Sequence, residues 1–105
     1  MSNVIYPTAE NIDSTISEGV TMVDFFAQWC SPCRAIAPII EELSDIYEGK
    51  AKICKVDTDK EQELALKYSI RSIPAILFFK DGELVDQMVG SATKQVFEEK
   101  INSLL

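Results

Sequence analysis

Apolar positions change period along this chain, and each change marks a boundary between elements. Ile12 and Ile16 stand four apart between Thr8, a helix-capping type, and Gly19, which predicts a helix over roughly residues 9–18. The run VTMVDFF predicts a strand at about residues 20–26. Ile36, Ile39, Ile40, Leu43, Ile46 and Tyr47 then recur at three- and four-residue steps, one apolar face of a longer helix closing near Gly49. Pro32 suits the first turn of that helix, where a missing N–H costs nothing, and Ser31 just before it is a favourable cap. Cys30 is thereby placed at a helix N-terminus. Pro38 interrupts the internal hydrogen bonding while the stripe continues past it, so a kink is expected there.

AKICKVD at 51–57 predicts a second strand, Asp59 a cap for a short helix through Tyr68, and AILFFK at 75–80 a third strand. The dipeptide Asp81-Gly82 marks a hairpin, with a return strand at about residues 84–89 that Gly90 breaks. Thr93 then caps a last helix carrying Val96, Phe97, Ile101 and Leu104 on one face. The layout α-β-α-β-α-β-β-α, with a further short strand expected at Val4 and Ile5, predicts an α/β fold: a mixed sheet with helices on both faces. Open α/β sheets place ligand sites where a strand hands over to a helix, and here that position holds WCSPC at 29–33.

Composition narrows the function. With 105 residues, 47% of them hydrophobic, the chain suffices for one core, so a single domain over residues 1–105 is expected. A net charge of -7 has the wrong sign for gripping a phosphate backbone, which argues against a nucleic-acid partner. The longest apolar run, residues 73–79, falls far short of the ~20 residues a membrane-spanning helix needs. The opening MSNVIYPTAEN shows no secretory pattern, and a cytoplasmic location is expected. Three cysteines are too few for a disulfide scaffold, and within the expected monomer at least one is unpaired.

Cys30 and Cys33 could be half of a metal site, a structural bridge or a redox pair. Structural zinc usually takes four Cys or His ligands, and this chain has no His and only one further Cys. A bridge closing so short a loop constrains the unfolded chain by only about 2 kcal/mol, against ~4.7 for a loop of about 100 residues. A tight pair does suit redox exchange, in which one thiolate attacks a disulfide and its neighbour releases the product. The positive end of the helix favours a thiolate on Cys30, making it the nucleophile; Cys33, one turn in, resolves, with Arg34 adding positive charge beside the pair. Asp24 interrupts an apolar strand: on an edge it would be a solvated carboxylate, whereas in a central strand it would be buried, its pKa raised, and suited to accept a proton from Cys33. Cys54 reads as a small core residue. Pro74, by base rate alone, would follow a trans bond.

VDFFAQWCSPCR at 23–34, Pro38, Lys55, SIP at 72–74, DG at 81–82 and Gly90 together resemble the thioredoxin family over nearly the whole chain. The resemblance implies a five-stranded sheet flanked by four helices, reduction of protein disulfides by Cys30 and Cys33, no bound cofactor, and a thioredoxin reductase as electron donor. It implies that Asp24, with Lys55 as neighbour, takes the proton. It also implies a cis Ile73-Pro74 bond, with the Ile73 backbone pairing with a substrate strand and Trp29, Ile73, Pro74, Gly90 and Ser91 forming the docking surface. Three positions depart from the usual pattern: Ser31 stands for Gly, Phe26 for Trp and Arg34 for Lys. Ser31 and Pro32 shape the helix start, so the first departure bears on redox potential and substrate range. Two rival readings fit the same residues: a specialised relative serving one dedicated partner, and a binding subunit whose cysteines stay idle.

Overall fold

Alternation along one central strand divides the core in two. The computed structural model describes residues 2–105. Strand β1 (Val20–Phe26) sends Val20 and Met22 into one apolar cluster and Val23 and Phe25 into another on the opposite face. Helix α1 (Ile12–Ile16) precedes it, and α2 (Ser31–Ile46) and β2 (Ala51–Asp57) follow. Next come α3 (Gln62–Lys67), β3 (Ala75–Lys80), β4 (Glu83–Val89) and α4 (Lys94–Leu104). The sheet order is β2-β1-β3-β4, with β1 and β2 parallel and β3 antiparallel to both of its neighbours. Ile36, Ile40 and Leu43 of α2 and Phe97 and Ile101 of α4 cover the first face, and Ile12, Ile16 and Leu64 from α1 and α3 cover the second. Because β1 is flanked on both edges, Asp24 is not an edge residue; it lies opposite Lys55 of β2 and Ile76 of β3.

The expected fifth strand is reduced to a single parallel bridge, Ile5 to Cys54, so the sheet has four strands among the described residues. The Ile5 N–H donates to the Ile53 carbonyl and Lys55 N–H to the Ile5 carbonyl, both at 2.9 Å. The next donor facing β2 in that register would come from residue 7, which is proline and has no N–H to give. On the other side of the bridge, the Asn3 N–H is taken by the Ser44 hydroxyl at 3.0 Å.

Other departures are local. The first helix covers Ile12–Ile16 instead of residues 9–18, and Thr8 does not cap it: the Asn11 side chain turns back to accept the Thr8 N–H at 2.7 Å, holding residues 9–11 in a turn. Asp59 does not cap α3, because Asp57 supplies the turn, its Oδ1 accepting from the N–H groups of Asp59 and Lys60. The long helix ends at Ile46 before Gly49 adopts φ +79°. On α4, Thr93 caps as expected by accepting from Val96 N–H at 3.3 Å, but Val96 itself is exposed while Phe97 and Ile101 are buried. Asp81 and Gly82, with φ of 49° and 88°, turn β3 into β4 through the left-handed pair that a two-residue hairpin favours.

Candidate active site

Phe26 ends the central strand, and the backbone from Ala27 to Trp29 carries it into α2. Cys30 is itself the N-cap, in extended conformation (φ -86°, ψ 110°), and its Sγ accepts the Cys33 N–H at 3.3 Å. A helix N-terminus with an unsatisfied N–H aimed at sulfur stabilises negative charge on that sulfur once it is reduced. Cys30 and Cys33 are joined by a disulfide and packed against Ala27, with Phe26 and Ile73 alongside. Exposure does not separate the two cysteines, at 5% and 3%. Position does, because only Cys30 stands at the cap.

Ser31 departs from its expected place. It is the first residue of the helix, followed by Pro32, and its hydroxyl neither caps the helix nor reaches sulfur. Instead Ser31 Oγ accepts from Arg34 Nη2 at 3.1 Å, while Arg34 Nη1 donates to the Gln28 carbonyl at 2.8 Å. Two of the three departures from the usual motif therefore touch each other, and the Ser31 hydroxyl makes no hydrogen bond to the Cys30 sulfur among the described residues. Ser31→Gly should consequently leave the Cys30 thiolate titration nearly unchanged, and lower stability by about 0.5–1 kcal/mol through the flexibility of a helical glycine. Thiolate absorbance and denaturant midpoints measure the two effects; a large rise in the Cys30 pKa would mean that the Ser31 hydroxyl contacts the sulfur directly.

The Ile73-Pro74 bond is cis and brings its loop against the cysteines, with the Ile73 carbonyl 3.9 Å from Cys30 Sγ. Gly90, at φ +95°, donates its N–H to the Pro74 carbonyl at 2.8 Å, a backbone conformation that favours glycine. Ser91 follows it, exposed, and makes no hydrogen bond to this loop. Trp29 is 69% exposed, its indole held by donation to Asp59 Oδ2 at 2.9 Å. Sequence reasoning missed this use of Asp59, since Asp shortly before a helix reads as a cap and nothing local signals a partner thirty residues back.

Asp24 is fully buried on the face covered by α2, and neither carboxylate oxygen has a hydrogen-bond partner among the described residues. Burial pushes its pKa from the ordinary 3.8 up to about 7, with Lys55 pulling the other way. Lys55 does not pair with it directly; the ammonium lies over the Phe26 ring, 4.3 Å from its centroid. Beside this ring a cleft of about 320 Å³ opens, lined by Cys33, Arg34, Lys55, Asp57 and Lys60 among others. Cys54 faces the opposite cluster and is fully buried, its thiol pushed up to about 12 by desolvation. Alkylation of the reduced native chain should therefore modify the active-site pair and spare Cys54, with mass spectrometry showing Cys54 labelled only after denaturation.

Among the described residues no cluster of His, Cys, Asp or Glu could hold a metal ion, and no helix is long and apolar enough to cross a membrane. A disulfide at the start of a helix, at the C-terminal end of a central strand and against a cis-proline loop, defines a thiol-disulfide oxidoreductase. Comparison with known proteins gives the class its name. The thioredoxin family model matches residues 3–103, and the chain belongs to the thioredoxin family. It is similar to the thioredoxin of Staphylococcus saprophyticus, 45% identical over 102 residues, covering 97% of this chain and 98% of that one. It is similar also to thioredoxin C-2 of Corynebacterium nephridii, 50% identical over 95 residues, covering 89% and 88% of the two chains. Among solved structures, a mutant thioredoxin from Halobacterium salinarum superposes with a TM-score of 0.89 at 31% identity, over 99% of this chain and 94% of that one.

Proposed function

We propose that this thioredoxin is a general reductant of protein disulfides in the cytoplasm, recharged by a thioredoxin reductase. In the reduced chain the Cys30 thiolate attacks one sulfur of a substrate disulfide, forming a mixed disulfide and releasing the other substrate sulfur as a thiolate that takes up a proton. Cys33 then loses its proton to Asp24 and attacks Cys30. The Cys30–Cys33 bond forms, the bond from Cys30 to substrate breaks, and the second substrate thiol leaves. Two electrons have passed to the substrate, and a reductase returns two to the chain.

What carries this reading is the position of Cys30, capping α2 with its sulfur beside the Cys33 N–H and the Ile73 carbonyl. A substrate strand pairing with the Ile73 backbone would set its disulfide over that sulfur, with Trp29, Pro74, Gly90 and Ser91 around it. Lys55 and Arg34 supply positive charge beside the resolving thiol. A free buried thiol at Cys54 fits a compartment that keeps thiols reduced. The test is catalytic reduction of insulin with a nicotinamide-linked thioredoxin reductase as the only electron source. Turnover with both supports the proposal, reduction by dithiothreitol but not by the reductase reassigns the donor, and no insulin reduction at all favours one dedicated partner.

A further inference from the structure

The cleft behind Cys33 gathers the two cations beside the resolving thiol together with a third, Lys60, that the exchange does not use. Three cations line it, Arg34, Lys55 and Lys60, against one carboxylate in the lining, Asp57. That carboxylate is nearly buried and already accepts two backbone N–H groups through Oδ1. The buried Asp24 also interacts electrostatically with Lys55, and Arg34 already donates through Nη1 and Nη2 to Gln28 and Ser31. Lys55 is half-buried, and among the described residues its ammonium makes no ion pair or hydrogen bond, only the contact with the Phe26 ring. Lys60 likewise has no side-chain partner among the described residues, while the uncharged Gln28 and Tyr6 complete the rim. An excess of positive charge thus gathers in one concave place on a chain whose net charge is -7.

We propose that this cleft is a binding site for a small tetrahedral oxyanion of the phosphate or sulfate class, held by Lys55, Lys60 and Arg34, and that its occupancy slows the resolving step at Cys33. The volume, about 320 Å³, admits such an ion with part of its hydration shell. A partly desolvated ammonium with unfilled donors gains more from an anion than an exposed one does, because the local dielectric is lower. An anion seated there lies beside the resolving sulfur, and a like charge opposes formation of the Cys33 thiolate that must attack Cys30. The slowing rests on the reductase mechanism proposed above; the binding does not.

The two parts are tested separately. Amide spectra of the oxidised full chain are recorded during titration with inorganic phosphate, and with sulfate, against sodium chloride of matched ionic strength. Saturable shifts at Cys33, Arg34, Lys55 and Lys60 are expected, and Lys60→Gln should weaken the apparent affinity about fivefold. The cleft at the other end of the sheet, which holds Lys50 and Lys52 with Glu18, serves as an internal control. Shifts that fail to saturate, that appear equally at Lys50 and Lys52, or that survive Lys60→Gln undiminished would overturn the site. Release of substrate from the preformed mixed disulfide should then slow with phosphate over the same concentration range; binding without slowing overturns the coupling to Cys33.

Discussion

Cys30→Ser should abolish disulfide reduction, whereas Cys33→Ser should leave a chain that attacks disulfides and cannot let go of them. The difference follows from where the helix begins. Cys30 is the cap and receives the Cys33 N–H on its sulfur, a backbone donor that Cys33→Ser leaves in place. The nucleophile therefore survives the second substitution while the resolving thiol is gone. Turnover in both variants falls by several orders of magnitude, but only Cys33→Ser accumulates covalent adducts. Incubated with a lysate and resolved without reductant, that form should show mixed disulfides that a strong dithiol removes. Many trapped proteins support a general reductant, and one dominant adduct supports the specialised reading. A binding subunit with idle cysteines would keep its partner when both cysteines are replaced. Trapping through Cys54, which is fully buried, would overturn the assignment of Cys30 as nucleophile.

Strands were legible in the sequence because their burial is simple. β1, β2 and β3 bury β-branched and aromatic side chains, and their runs and bounding residues coincide with the observed ends. The long helix was legible from its stripe, and the redox pair from the CxxC spacing at its start. What local pattern did not reveal depended on contacts between distant segments. Asp59 reads as a cap until the fold brings Trp29 to it, and Ser31 reads as a cap until Cys30 takes that place. The fifth strand failed at Pro7, whose missing donor was visible in the sequence but mattered only once Ile5 was known to pair with β2. The cis bond before Pro74 came from family resemblance alone, since the residues themselves favour trans. Asp24 lay between: its type was conspicuous in an apolar strand, and the central position of that strand decided its burial.

Asp24→Asn should stabilise the fold at neutral and alkaline pH while slowing the reaction. Both carboxylate oxygens are buried without partners among the described residues, and burial raises the pKa from 3.8 to about 7. Between those two values the folded chain holds a proton on Asp24 that the unfolded chain has released, so this group's contribution to stability falls as pH rises through the window and levels off above it. The loss is about 1.4 kcal/mol per pH unit, or about 4 kcal/mol across the whole window. Asparagine stays neutral throughout, although its buried amide also lacks partners and forfeits part of the gain. Urea midpoints should therefore show the variant close to wild type at pH 4 and more stable by roughly 1–3 kcal/mol at pH 8. The same substitution removes the group proposed to accept the Cys33 proton, and release of the mixed disulfide near pH 7 should slow by about tenfold or more. A stability difference that does not change between pH 4 and pH 8 would mean that the carboxylate is solvated or paired in solution. A gain in stability with an unchanged release rate would keep Asp24 as a buried acid and take it out of the mechanism.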